Sequence, residues 1–264
     1  SRRRHTRYIS VTGVQTCALP IYLIARIRLR SQFKNVKPKS YRIAPRGIAF
    51  TPDGKYALIL ATETGSIIVM DAVNHKQVAE LAPMSKETAG REVNVRHIVI
   101  TKDGTTAYLS HMHGNAISRF DINKLIQKVQ ALPAGNGPQS LLPATVWNEI
   151  LIPFPSTGQK KNILVLENYP KDHPNFPSGT WSLAHPNTIV LDRTNDRYLY
   201  VSFRTTTTEG DTKVDPRIKG KVDIIDTKNG KTVFSLVGGS QPTALEVSKD
   251  RVLVSSGFID SKLY

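Results

Sequence analysis

The sequence predicts an all-β protein, a β-propeller of four-stranded blades, because one pattern of short strands recurs along the chain. Two copies of the pattern, Arg46–Asp71 and Arg96–Asp121, align without a gap at an offset of 50 residues. A third copy begins at Pro186 and a fourth at Pro242. A repeated unit of about 40–50 residues with four short strands is typical of propellers, whereas a β-sandwich does not repeat its sequence.

Each element of the first copy has a local physical reason. Ile48–Thr51 is a short apolar run, as expected of an innermost strand. Pro52–Gly54 predicts a tight turn, because proline fixes φ and glycine is free to adopt a positive φ. The second, third and fourth strands are predicted at Tyr56–Leu60, Ile67–Met70 and Gln77–Leu81.

Aspartates recur at two places in the pattern, in the turn after the first strand and at the end of the third. A pair of carboxylates could serve in acid–base catalysis, but a catalytic residue would occur once in the chain. We therefore expect these side chains to cap turns. They are Asp53, Asp103 and Asp250 in the turns, and Asp71, Asp121 and Asp226 at the strand ends.

The remaining chain is expected to supply further blades. Residues 132–184 match the pattern poorly, and Glu149–Phe154 and Asn162–Glu167 are interpreted as two strands of a degenerate blade, joined by Pro155–Lys161. Tyr22–Leu29 is interpreted as a strand of a blade that precedes the first full copy. We therefore expect five to six blades of a seven-bladed parent, truncated at the C-terminus.

Residues 1–21 differ from everything that follows. They show no strand or helix periodicity, match no part of the repeat, and resemble translated sequencing-adapter read-through. We expect this segment to be non-native, the native N-terminus to be missing, and residues 22–264 to form the propeller. The single cysteine, Cys17, lies in this segment, so no disulfide framework is predicted. The remainder is compatible with a periplasmic or extracellular bacterial or archaeal protein.

The repeat resembles a known family. Phe50–Tyr56 (FTPDGKY), Ile67–Asp71 (IIVMD) and Val222–Thr227 (VDIIDT) resemble the YVTN repeat of bacterial and archaeal seven-bladed propellers, which include surface-layer proteins. The resemblance covers roughly residues 22–264. It implies the fold and leaves the function open, because similar repeats occur in lactonase-type propellers and in the haem d1-binding domain of nitrite reductases.

The chain is basic, with a formal net charge of +15. Four arginines of residues 1–21 contribute to this excess, and most lysines are spread singly through turns. We therefore interpret the charge as a solvated surface rather than a nucleic-acid-binding face. No apolar run approaches the roughly 18 residues of a membrane-spanning helix, so no membrane span is predicted.

The predicted topology indicates where a site would lie. The loops that enter the first strand and those that join the second and third strands share one end of the ring, and the largest insertion, Arg204–Lys219, lies there. The opposite end is expected to carry only compact turns such as Pro52–Gly54. Long loops on a rigid scaffold are the usual place for function. The candidate ligand-binding residues on this loop-bearing face are Arg46, Arg96, His97, His185 and Gln241.

Two interpretations of this face stay open. In the first, the protein is a non-catalytic scaffold without a cofactor that binds a protein, a glycan or a small anion, with Arg46 and Arg96 as a rim for the anion. In the second, it is a lactonase-like enzyme or a redox domain with haem or a divalent metal on the histidines. The structural alternatives are that the histidines are polar loop residues that form backbone hydrogen bonds, and that the arginines form hydrogen bonds between blades. The candidate ligands of the metal or haem are His97, His111, His113 and His185.

Overall fold

The computed structural model describes residues 26–31, 43–81, 95–112, 116–133, 137, 141–142, 149–152, 163–165, 181–206, 220–237, 242–248 and 252–256. Strands dominate these ranges, with one helix between them. The strands form four sheets, in which nearly every pair of neighbours is antiparallel. The predicted all-β fold with four-stranded blades is confirmed, and the sheets are called blades one to four in chain order.

Blade one follows the predicted order of strands. It contains β1 (Pro45–Phe50), β2 (Tyr56–Ala61), β3 (Ser66–Asp71) and β4 (Lys76–Leu81). Gly54 in the turn between β1 and β2 has φ = 69°, the left-handed conformation for which the sequence supplies a glycine. The predicted second, third and fourth strands are confirmed to within one residue at each end, whereas β1 begins three residues before the predicted Ile48.

Blades two and three repeat this meander with additions, and two strands of blade four are described. Blade two contains β5 (Val95–Ile100), β6 (Thr106–His111), β7 (Ala116–Asp121) and β9 (Glu149–Ile152). A helix and the two-residue strand β8 (Leu141–Leu142) lie between β7 and β9 in the chain, and β8 pairs in parallel with β4 of blade one. The first to fourth strands of blade three are β11 (Trp181–Leu191), β12 (Tyr198–Thr206), β13 (Lys221–Asp226) and β14 (Lys231–Val237), and the additional strand β10 (Ile163–Val165) pairs with β11. Blade four contains β15 (Pro242–Val247) and β16 (Val252–Ser256).

The blades stack face to face in chain order, which is the packing of a propeller. In β2, Leu58 and Leu60 point to blade two and are fully buried, while Ala57 and Ala61 lie on the other face, as the two-residue period of a strand requires. A second apolar cluster joins blades two and three, and a third joins blades three and four. The first strands of successive blades contact one another, so they line a common axis.

The single described helix, α1 (Ile122–Gln130), follows β7 directly. Asp121 caps its N-terminus by accepting a hydrogen bond from the backbone N–H of Lys124 at 3.1 Å. The buried residues Ile122, Leu125 and Val129 recur at the spacing of one helix face and join the core between blades one and two. In the described residues no helix has the length and apolar character needed to cross a membrane.

Three expectations about the blades are wrong. The two strands of the expected degenerate blade exist, but β9 pairs with β7 and β10 pairs with β11, so each belongs to a neighbouring sheet. The described residues 26–29 of the expected strand Tyr22–Leu29 form no strand. The end of the ring with the compact turns also carries α1. The described ranges hold four blades, and the expected total of five to six out of seven stays a prediction.

Four of the recurring aspartates cap turns, as expected, namely Asp53, Asp71, Asp103 and Asp226. Asp121 caps α1 instead, and Asp250 lies outside the described residues. In blade one, Asp53 accepts hydrogen bonds from the Thr51 hydroxyl at 2.6 Å and from the backbone N–H of Lys55 at 3.1 Å. Asp103 accepts the equivalent bond from Thr101 at 2.6 Å. The hydrogen bond from each threonine is the main reason that the pKa of each carboxyl lies below its usual value. These side chains stabilise the framework of the blades.

Candidate functional site

The loop-bearing end of the ring is built around one recurring irregularity. Each first strand shifts its register against the second strand near its start, between Pro45 and Ile48 in β1 and between Val95 and His97 in β5. Equivalent shifts occur in β11 and β15. A bulge releases a residue from the ladder and re-aims its side chain. The residues at this position are Arg46, Arg96, Asn187 and Thr243.

A chain of hydrogen bonds links three of these positions. Arg96 donates from Nε to Oδ1 of Asn187 at 2.9 Å, and Asn187 donates from Nδ2 to the carbonyl oxygen of Thr243 at 3.3 Å. The carbonyl oxygen of Asn187 accepts a hydrogen bond from the Ser110 hydroxyl at 2.6 Å. Asn187 is only 3% exposed, so these bonds replace water as its partners. The chain connects blades two, three and four and fixes the guanidinium of Arg96.

Arg46 occupies the same position in blade one but lies exposed. Its side chain makes no hydrogen bond to the part of the chain that the structure describes. The first strands of blades one and two approach closely here, since a Cβ added to Gly47 would lie 3.3 Å from the carbonyl oxygen of Arg96. Arg46 and Arg96 therefore lie at the same end of neighbouring strands, one guanidinium held in place and the other exposed to solvent.

His97 is half-buried between blades two and three. Its Nδ1 accepts a hydrogen bond from the backbone N–H of Ile189 at 3.4 Å, and its own backbone N–H donates to the Ser110 hydroxyl at 3.1 Å. Burial is the main reason that the pKa of His97 lies below its usual value, with Arg96 acting in the same direction. The imidazole is therefore neutral at pH 7 and serves as an acceptor in the contact between blades.

His111 lies on the opposite face of blade two. It is fully buried, and its Nε2 lies 2.5 Å from the hydroxyl oxygen of Ser118. Burial lowers the pKa of His111 to about 3, so the ring is neutral at any ordinary pH. Strand alternation places it on the face with Leu109, toward blade one, whereas His97 faces blade three. The structure does not bring these two histidines together.

The other predicted site residues cannot all be placed. His113 and Gln241 lie outside the described residues, and His185 belongs to β11, where only its backbone is described. In the ranges that the structure describes, no group of three His, Cys, Asp or Glu side chains converges on a possible metal position. The metal or haem set of His97, His111, His113 and His185 therefore stays a prediction.

Two polar residues of this end were not anticipated. Asn187 was detectable, because it aligns with Arg46 and Arg96, each two residues before an isoleucine that recurs in the first three copies of the repeat. Arg204 was assigned to the insertion Arg204–Lys219, but it belongs to β12, which continues to Thr206. It is 3% exposed, and its Nη1 lies 4.0 Å from the sulfur of Met112. Its burial depends on the packing of blades two and three.

Comparisons with known proteins identify relatives at a distance. No model of a known protein family matches the chain. A curated protein, antigen Lp49 of Leptospira interrogans, is 29% identical over 180 residues, which cover 64% of this chain and 37% of the antigen. The chain thus spans little more than a third of the length of this relative.

Solved structures with a similar arrangement were also found. A crystal structure of a candidate 6-phosphogluconolactonase from Bacteroides uniformis aligns with a TM-score of 0.47 at 16% identity, over 85% of this chain and 51% of the other. The Cps50 (Swd1) β-propeller domain of Myceliophteria thermophila aligns with a TM-score of 0.41 at 15% identity, over 80% and 49%. Hydrazine synthase of Kuenenia stuttgartiensis aligns with a TM-score of 0.42 at 17% identity, over 83% and 57%. Similarity of this degree says nothing about function.

Proposed function

We propose that the protein is a non-catalytic binding propeller of the YVTN-repeat type that holds an anionic group at its loop-bearing end, between Arg46 and Arg96. The observation that carries this proposal is the recurring bulge, which presents two arginines at equivalent positions of adjacent first strands. A guanidinium stays charged at every physiological pH and offers paired N–H donors to a carboxylate or phosphate.

The two arginines have complementary roles in this proposal. Asn187 accepts a hydrogen bond from Nε of Arg96. The Arg96 side chain is therefore already ordered there and loses little conformational freedom when an anion binds. Arg46 is exposed and forms no side-chain hydrogen bond within the described residues, so its donors are available to a ligand. Residues 22–264 still hold 32 basic and 21 acidic side chains, and this positive excess favours the approach of an anion.

The engagement of candidate catalytic groups in the framework supports a binding role. His97 accepts a backbone hydrogen bond between blades, and Asp53 and Asp103 cap their own turns. In each of these groups one acceptor atom is engaged with a protein donor, which favours a structural role over that of a general base. Location outside the cytoplasm belongs to the same proposal and is supported by the resemblance of the repeat to that of surface-layer propellers.

Isothermal titration with citrate and inorganic phosphate tests the proposal. We expect saturable binding that weakens as salt is raised, and a loss of about tenfold in affinity in Arg46→Ala, as for one charge-assisted contact. Arg26→Ala is the matched control, because Arg26 is an exposed arginine outside the site. Absence of anion binding, or an equal loss in the control, would overturn the anion site.

The enzyme alternative is tested on the same purified protein. A visible absorption band, stoichiometric metal, or lactone hydrolysis abolished by His113→Ala or His185→Ala would overturn the non-catalytic proposal. Steeply salt-dependent binding of DNA or RNA, unaffected by Arg46→Ala, would favour a nucleic-acid-binding surface instead.

A further inference from the structure

A cleft of about 530 Å³ lies at the end of the ring opposite to Arg46 and Arg96. Helix α1 forms one wall, and the first turns of blades one and two form the rest. Its volume lies within the range of about 300–1,000 Å³ that small-ligand pockets occupy. The lining side chains that could contact a ligand include Asp53, Lys55, Tyr56, Asp103, Ile126 and Gln127. This space is called the helix cleft below.

The helix cleft exists because blade two departs from the repeat. After the third strand, blades one and three turn directly into the fourth strand, through Asp71 and Asp226. In blade two the equivalent Asp121 caps α1 instead. Among the described blades this helix occurs once, so the wall it provides is not a by-product of the repeated turn chemistry. Insertions into a repeated scaffold are often the segments that bind ligands.

Two carboxylates are held in fixed positions at the helix cleft. Within their turns, Asp53 and Asp103 accept hydrogen bonds through Oδ1. Oδ1 of Asp103 accepts from the Thr101 hydroxyl at 2.6 Å and from the Thr105 hydroxyl at 2.9 Å. These bonds orient each carboxylate and leave Oδ2 as an acceptor. Lys55 lies 3.8 Å from Oδ2 of Asp53, so the negative charge of one carboxylate is partly balanced.

The helix supplies groups of the complementary kind. Asn123, Gln127 and Gln130 are exposed on α1, and none of their side chains has a hydrogen-bond partner within the described ranges. An amide both donates and accepts. The half-buried side chains of Ile126 and Tyr56 also line the helix cleft and offer apolar contact to a ligand.

We propose that the helix cleft binds a neutral, hydroxyl-rich ligand, such as one or two sugar units at the end of a glycan. Hydroxyl groups donate to fixed carboxylate oxygens and exchange hydrogen bonds with amides in both directions. The carbon face of a sugar ring matches an isoleucine and a tyrosine. The lining is mostly uncharged, and Lys55 opposes Asp53, so a cationic side chain fits the helix cleft less well than a sugar does.

The test uses the full chain and saturation-transfer NMR with glucose, galactose, mannose, N-acetylglucosamine, maltose, cellobiose and lactose. We expect saturable binding of at least one of these sugars. Gln127→Ala and Asp103→Asn should each weaken it by about tenfold, as expected for one or two lost hydrogen bonds. Asparagine keeps an oxygen for the turn bonds of Asp103, and Gln127 is exposed, so Gln127→Ala leaves the core intact.

Two control variants sharpen the test. Lys128→Ala changes an exposed residue of the same helix outside the helix cleft and should leave sugar affinity unchanged. Arg46→Ala removes the anion site at the opposite end and should also have no effect, so failure of the two proposals can be told apart. The proposal is overturned if no sugar binds, or if both cleft variants bind sugar as the wild type does. A pentalysine peptide is the cationic probe, and the proposal is also overturned if this peptide alone binds and Asp103→Asn abolishes its binding.

Discussion

The buried imidazole of His111 should make the protein less stable as the pH falls from 7 to 5. The side chain is 0% exposed, and its Nε2 lies 2.5 Å from the hydroxyl oxygen of Ser118. Burial lowers the pKa of His111 from 6.5 to about 3, because the core does not solvate an imidazolium. The folded protein therefore keeps this ring neutral where the unfolded chain protonates it.

The sign and size follow from proton linkage. Between pH 6.5 and about pH 3 the unfolded state binds one more proton at His111 than the folded state does. The free energy of unfolding therefore decreases as the pH falls through this window, by up to about 1.4 kcal/mol per pH unit. From pH 7 to pH 5 the expected loss is about 2 kcal/mol. The lowered pKa of His97 adds to the loss in the same direction.

Urea unfolding followed by circular dichroism at pH 7, 6 and 5 measures the effect. His111→Gln is the informative variant, because the glutamine amide reaches toward Ser118 as Nε2 does but does not titrate. We expect the variant to lose about 2 kcal/mol less than the wild type between pH 7 and pH 5. An equal decline in both proteins, or no decline in the wild type, would refute the burial of a neutral His111.

Two further predictions concern the framework. Asn187→Ala removes two side-chain hydrogen bonds between blades and should lower the free energy of unfolding by about 2 kcal/mol, measured by urea unfolding. Asn123→Ala, the same change at an exposed site, should stay within about 0.5 kcal/mol, and equal effects would contradict a role for the inter-blade bonds. Gly104→Ala should lower the thermal midpoint more than Gly54→Ala. Both glycines have positive φ, but only a Cβ at Gly104 would collide with Pro52, at 2.9 Å, so equal midpoints would contradict this contact.

Local structure in the repeats was predictable because its causes are local. The turn after β1 needs a proline, an aspartate and a glycine within a few residues, and Gly54 adopts the positive φ that the sequence predicts. The capping of that turn by Asp53 also depends only on Thr51 and Lys55. Strand bounds in blade one follow from short apolar runs between such turns.

Helix α1 could be recognised from local signals but is absent from the repeat pattern. Asp121 before a run with apolar residues at Ile122, Leu125 and Val129 is a helix start with a buried face. The alignment of Asp121 with Asp71 favoured a common role for the two aspartates as strand-end caps. Asp71 does cap a turn, but Asp121 caps a helix. The similarity of the repeats therefore gave no indication of the helix that follows β7.

The sequence by itself determined the blade pattern, the turn chemistry and the placement of Arg46 and Arg96 at one end of the ring. Only the tertiary structure decided that β9 completes blade two, that Asn187 holds Arg96, and that the helix cleft lies at the opposite end. Turn and strand preferences act over a few residues, whereas these features join residues tens of positions apart. Such pairings are selected by the packing of whole faces against each other, which no short segment encodes.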